Sequence, residues 1–331
     1  MQYKISEEDY VHGGIQKDVY HESDVENCNC LLCNSDNYKN IYHERGCLGI
    51  VECINCGLLY TNPRPKEAEQ NYFGDATIFY NEAEQIFKGR KVHHRDKNYE
   101  YELKEIKKVK HSGKLLDIGT NMGFFLRKAK TAGFEVEGFE PSPSLAKIAA
   151  DEFGLKIWNS YFSKDNLPAK SYDVITMIDV FEHITTPCPL LKDAFEVLKD
   201  DGIMCIKVPN GNYNKLKLRL ARLTGRELQH ELFNAYEHVA HYSQSTMKKM
   251  VESANFKIKK TIVPLPVNPP IWANLTGYYF QYPSPFILDW KRITVRKLFY
   301  YIGKVEKALG LKVSFAPDLL YIIEKASTKN K

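Results

Sequence analysis

The stretch LLDIGTNMGFFL, Leu115–Leu126, decides the fold. Its apolar opening reads as a buried strand, its two glycines as a turn, and FFL as the start of a helix. A dinucleotide fingerprint beginning at Gly119 would need glycines at 121 and 124, where Asn121 and Phe124 stand. No Gly-Lys-Ser/Thr follows, which excludes a P-loop. What remains is Asp-x-Gly-x-x-x-Gly, with Asp117 at the strand's end and Gly119 and Gly123 where backbone is approached closely.

Working outward, strand and helix signals alternate. EVEGFE is a strand ending in Glu140, and SPSLAKIAADEFG a helix closed by Gly154. LKIWNS and YDVITMID are strands, CPLLKDAFEVLKDDG is a helix with a turn, and IMCIKVPN is a strand. Repeated strand–helix units predict an α/β fold with a parallel sheet covered by helices on both faces. In such sheets a carboxylate at the end of the second strand, here Glu140, is placed to accept both hydroxyls of a ribose.

Upstream lie two Cys-x-x-Cys pairs, Cys30/Cys33 and Cys53/Cys56. Two such turns complete a tetrahedral Cys₄ site, and a closed site of that kind is structural zinc (Zn2+). Gly57 suits the knuckle after the last cysteine; Cys28 is an alternative ligand and Cys47 a spare. The expected organisation is a polar segment 1–27, a zinc ribbon 28–65, a helical linker 66–110 and a core domain 111–331. Within the core we expect a lid over 210–242, a helical insertion over 268–312 and a last strand near 316–326.

The segments LLDIGTNMGFFL, VEGFEPSPSLAKIA, SYDVITMIDVFEHITTP and AFEVLKDDGIMCIKVPN resemble, in order, the successive motifs of class I S-adenosylmethionine-dependent methyltransferases, from about Lys114 to Ile258. The resemblance implies a Rossmann-like seven-stranded sheet whose last strand, APDLLYIIEKA, runs antiparallel. It implies S-adenosyl-L-methionine as cofactor, with Asp117, Gly119, Thr120 and Asn121 along its methionine part and Gly123 allowing a close helix. Glu140 would hold the ribose, Pro141 and Ser142 would flank the adenine, and Tyr161 and Phe162 would touch its other face. Asp179 and Val180 would lie beside the cofactor; Thr120 and Asn121 depart from the residues many relatives carry there.

Ribbon and core together, with the exit CGLLYTNPRP, resemble bacterial enzymes encoded alongside builders of surface polysaccharides, antibiotic sugars and secondary metabolites. The resemblance implies O-methylation of a sugar or glycan, free, nucleotide-linked or lipid-linked. A hydroxyl is a poor nucleophile while protonated, so a histidine base is expected. Candidates are His183 in DVFEHI, which resembles the family's Glu-His after the fourth strand, and His238 and His241 in YEHVAHYS. His238 matches the lid histidine of one subgroup and His241 an aromatic position of it. The structural alternative for each is a satisfied packing residue.

Two rival functions stand beside this one. A zinc module can grip RNA, as in some rRNA methyltransferases, but Cys30–Pro65 carries only Lys39, Arg45 and Arg64 against Asp36, Glu44 and Glu52. A non-catalytic scaffold with the same fold is the other rival, and the intact Asp117–Gly119–Gly123–Glu140 set argues against it. The net charge of +5 is too small to imply nucleic acid. MQYKISEEDY shows no export pattern and no apolar run reaches about 18 residues, so a cytoplasmic protein is expected. A basic, aromatic-rich segment around Trp290–Tyr300 leaves room for peripheral contact with the inner face of a membrane or for a homodimer, and the basic helix NKLKLRLARLTGR for an anionic substrate.

Overall fold

The structure is a computed structural model that describes residues 17, 19–66, 68, 83, 86–89, 93, 95–165, 167–225, 232–266 and 286–326, the side chains of 286–293 excepted. Most of the linker's first half, the middle of the expected lid and the first part of the insertion lie outside the described residues.

Three sheets make up the described chain. The first pairs β1 (Val25–Glu26) with β5 (Arg64–Pro65). The second contains β2 (Tyr38–Glu44), β3 (Leu48–Cys53) and β4 (Leu59–Thr61), and gains a fourth strand, β11 (Ala240–His241), from far along the chain. The large sheet holds β6 (Gly113–Ile118), β7 (Phe134–Phe139), β8 (Lys156–Trp158), β9 (Tyr172–Ile178), β10 (Leu198–Pro209), β12 (Phe256–Ile262) and β13 (Asp318–Lys325). Its order is β12-β13-β10-β9-β6-β7-β8, and β13 runs antiparallel to both neighbours. This is the expected seven-stranded Rossmann-like sheet with its reversed strand next to the edge.

The helices are α1 (Asp96–Lys107), α2 (Phe124–Thr131), α3 (Pro143–Phe153), α4 (Pro187–Val197), α5 (Gly211–Leu223), α6 (Gln244–Glu252) and α7 (Phe286–Ala308). Local chemistry sets their ends. The Ser142 hydroxyl accepts the N–H of Leu145 to cap α3, Pro143 takes the first turn, and Gly154 closes the helix in the left-handed region. Ser243 and Thr246 form a capping box on α6. Asn210 caps α5 through its side-chain oxygen, while its amide donates to the carbonyls of Val313 and Ala316 and so ties the approach to β13.

The inner strands β9 and β13 are mostly buried and apolar, as burial on both faces requires, whereas the edge strand β12, FKIKKTI, alternates buried apolar residues with exposed lysines. One of its cores is shared with the ribbon: Cys30, Val51, Cys53, Leu58 and Tyr60 pack in the same cluster as Leu116, Ile175, Met204 and Tyr321. The ribbon is therefore built onto the core rather than tethered to it. The polar segment expected up to residue 27 is tied to the body over 20–26. Tyr20 is buried, its N–H donates to the Arg45 carbonyl, and Val25–Glu26 pairs with β5. A single large aromatic in a polar run gave too weak a periodic signal to reveal this.

Candidate active site

A cleft of about 230 Å³ opens where β6, β7 and β9 end. Gly119, Glu140, Pro141, Tyr161, Phe162, Val180 and His183, all singled out from the sequence, line it. Ser160 lines it as well, in the segment expected beside the adenine. Unanticipated neighbours are Phe139 and, from the loop and helix after β9, Ile184, Thr186, Leu190 and Asp193. Their signal was present only as a generic amphipathic helix, which does not say which face looks into a cleft.

Gly119 is at φ +78°, and a Cβ there would sit 2.4 Å from Val180 Cγ2, so only glycine lets this backbone border the cleft. Gly123, at φ +81°, lies against Ala149 and Leu155, where a Cβ would collide with α3 and the start of β8. Glu140 is buried; its Oε2 accepts the Asn121 N–H at 2.6 Å and its Oε1 the Ser142 N–H at 2.9 Å. These two bonds fix the carboxylate; Asn121 and Ser142, expected along the cofactor, do not line the cleft themselves. Phe139 stacks on Trp158 and meets Phe162 edge-on, forming an aromatic wall.

Asp117 does not line the cleft. It is buried with Oδ1 accepting the Thr176 hydroxyl at 2.5 Å, and the Thr120 hydroxyl donates to its carbonyl. Burial pushes its carboxyl up to about 7 despite the Thr176 bond. Asp179 sits in the left-handed region at φ 55° and is engaged by Arg95 and by Lys207, the latter at 3.0 Å. Burial would raise its pKa, but the two cations hold it at about 2. Lys207 also faces Glu102 at 3.3 Å, both wholly buried, so a charge network with partly exposed Asp179 and Arg95 joins α1, the end of β9 and β10. Burial raises Glu102 to about 7.

The three histidines separate. His183 is in the cleft, its Nδ1 2.9 Å from the Glu237 carbonyl. A carbonyl only accepts, so Nδ1 carries the proton and Nε2 presents a lone pair. Burial, and then the neighbouring His238, push its pKa well below the ordinary range. His238 packs edge-on against His183 with ring centroids 4.8 Å apart, and does not line the cleft. His241 lies on β11, buried, its Nε2 3.5 Å from the Thr61 hydroxyl; it is a packing residue of the ribbon seam. Glu182, His183 and His238 bring ligand-type atoms within 4.8 Å of one another, a set able to hold a cation.

The four ribbon cysteines converge, with all four sulfurs within 4.8 Å of one another. Cys30 and Cys56 are 3.4 Å apart and Cys33 and Cys53 3.5 Å. Tetrahedral ZnS₄ with bonds of about 2.3 Å places sulfurs about 3.8 Å apart, so this donor set fits zinc. Cys28 is turned away, its sulfur 3.7 Å from the Thr61 carbonyl, and is not part of the set.

The ribbon holds the lid. Thr61 N–H donates to Val239 O, the Thr61 hydroxyl to His238 O at 2.6 Å, and Val239 N–H to Glu182 O. Glu44 accepts three lid N–H groups, those of Leu232 and Phe233 at 2.7 Å and of Ala235 at 2.9 Å. The tract that carries Glu237 and His238 is thereby set against His183 from the ribbon side.

Residues 92–261, just over half of the chain, match a family model described as a methyltransferase domain. The chain belongs to that family. The methyltransferase domain thus spans the cleft, the glycine turn and the lid. Among curated relatives, the ubiquinone biosynthesis O-methyltransferase of Rhodopseudomonas palustris is 27% identical over 111 residues, covering 32% of this chain and 44% of that protein. The enzyme of the same name from Cereibacter sphaeroides is 32% identical over 104 residues, 30% of this chain and 42% of that one. The chain spans less than half the length of these curated relatives. A solved S-adenosylmethionine-dependent methyltransferase from Mesorhizobium loti is similar with 14% identity and a TM-score of 0.42, over 67% of this chain and 95% of that one.

Proposed function

We propose that this protein transfers a methyl group from S-adenosylmethionine to a hydroxyl oxygen of a sugar or glycan. The observation that carries the reading is the pairing, in one cleft, of Glu140 held by two backbone N–H groups with His183 held in one tautomer by Glu237. When bound, the cofactor supplies an electrophilic methyl group. The Glu140 carboxylate would take the ribose hydroxyls, Gly119 would admit the cofactor to the backbone, and Phe139 and Phe162 would wall the adenine. His183 Nε2 takes the acceptor's hydroxyl proton as the oxygen becomes a nucleophile. The apolar wall limits water and favours charge loss during transfer.

Oxygen as the acceptor atom is supported by the names of the relatives, and the sugar by the resemblance of the ribbon exit CGLLYTNPRP to that of carbohydrate-modifying enzymes. Zinc at Cys30, Cys33, Cys53 and Cys56 would be structural, holding the ribbon that positions the lid. Titration calorimetry of the zinc-loaded protein with S-adenosylmethionine and S-adenosylhomocysteine, beside Glu140→Ala, tests the cofactor. Micromolar binding weakened about tenfold or more in the variant is expected. No binding by folded protein would overturn the reading. Nucleotide sugars, oligosaccharides and phenols then compete as acceptors, and turnover of phenols alone would replace the sugar.

A further inference from the structure

Away from the cleft, and sharing no lining residue with it, a second concavity of about 190 Å³ lies between α1, β12 and α7. Four lysines converge on it, Lys108, Lys260, Lys304 and Lys307, with Glu105 the one carboxylate among the described lining residues. Both oxygens of that carboxylate are taken: Oε1 pairs with Lys108, and Oε2 with Lys260 at 2.8 Å. Lys304 and Lys307 have no carboxylate partner among the described residues; Lys304 lies over the Tyr300 ring, 5.4 Å from its centre. Lys307 is half-buried, and burial followed by the charge of Lys260 lowers its pKa. Three positive charges in excess in one recess form a site short of its counter-charge.

We propose that this recess binds a phosphate-type anion carrying more than one negative charge. Its donors are all ammonium groups, which act as point charges and suit a tetrahedral oxyanion approached from several sides. Among the described lining residues there is no guanidinium fork, the usual partner of a planar carboxylate. The phosphate has two candidate sources, a soluble diphosphate such as that of a nucleotide sugar and a phospholipid head group. The same helix, α7, exposes Leu298, Tyr301 and Val305 on the side turned from the body, and Leu309 follows at its end. Lys297 and Lys304 flank that stripe, so an anionic membrane surface meets both apolar and basic chemistry there.

The test uses the full zinc-loaded chain, inorganic pyrophosphate and phosphatidylcholine vesicles with and without phosphatidylglycerol. Binding of pyrophosphate by calorimetry at low salt is expected to weaken about tenfold or more in Lys304→Gln/Lys307→Gln. The melting temperature of that variant is expected to hold or rise, because removing two repelling charges strips no carboxylate partner among the described residues. S-adenosylmethionine binding serves as the control and stays unchanged. Vesicle binding that needs phosphatidylglycerol and is lost in Leu298→Ser/Val305→Ser assigns the lipid source; pyrophosphate binding without vesicle binding assigns the soluble one. Equal pyrophosphate affinity in wild type and the lysine variant, or no binding of either probe, overturns the proposal. A fall of several degrees in the variant's melting temperature would make these lysines structural and would also overturn it.

Discussion

His183 is where residue chemistry and the proposed reaction meet. Its Nδ1 is committed to a carbonyl, so substitution by Gln removes the proton acceptor while leaving a side chain of similar reach. We expect His183→Gln to lower kcat by about 10²–10⁴-fold, with S-adenosylmethionine affinity unchanged by calorimetry. Burial holds the pKa of His183 well below the ordinary 6.5, so the base stays unprotonated as pH falls through that value. The profile of kcat/KM should therefore stay level from pH 8 to about 6; a limb near 7 would mean that another group is the base. His241 answers a different question. Burial, then His238, bring its pKa down to about 3. The unfolded chain takes up that proton below 6.5 and the folded one does not. The stability it contributes is thus full above 6.5 and lost as pH falls toward 3, reaching about 2 kcal/mol at pH 5. Urea midpoints at pH 7.5 and 5 should separate less in His241→Leu than in wild type, and an unchanged separation would count against this account.

At the scale of elements, the informative pairing is β11 with β4, which welds the lid to the ribbon. The Cys-x-x-Cys spacing announced the knuckle but named no partner for it. Glu44 is the clearest case. In the sequence it is one acid among several; in the structure it is buried and accepts three lid N–H groups. Glu44→Ala would strand those donors, at about 1–3 kcal/mol for the first and less for any that reach water. Its expected signature is a raised acceptor KM and faster amide exchange over 232–243, with cofactor affinity retained. Equal exchange in the variant and wild type would show that the lid holds its place without the ribbon.

For the whole molecule, one core decides behaviour. Cys30, Val51, Cys53 and Tyr60 pack with the sheet residues Leu116, Ile175 and Tyr321 in a single cluster. Metal loss should therefore destabilise the ribbon and the sheet together. Calorimetry of the zinc-loaded protein is expected to show one cooperative transition, shifted down and kept single in Cys53→Ser/Cys56→Ser or after chelation. Two resolved transitions would mean that the ribbon is an independent unit.

The sequence by itself determined the order of strands and helices, the glycine turn, a carboxylate at the end of the second strand, three candidate histidines and the cysteine spacing. Each depends on local geometry: period-2 and period-3.6 patterns, caps such as Ser142 and Gly154, and spacings of a few residues. Only the tertiary structure decided that Asp117 supports the site from beneath, that Asp179 belongs to Arg95 and Lys207, and that His241 packs instead of reacting. The same holds for the ribbon's grip on the lid, since Thr61 and His238 are 177 positions apart and Glu44 and Ala235 are 191 apart. Contacts of that separation leave no periodic trace in one chain. They exist because burial forces each polar group to find a partner, and the partner is whatever the fold brings within reach.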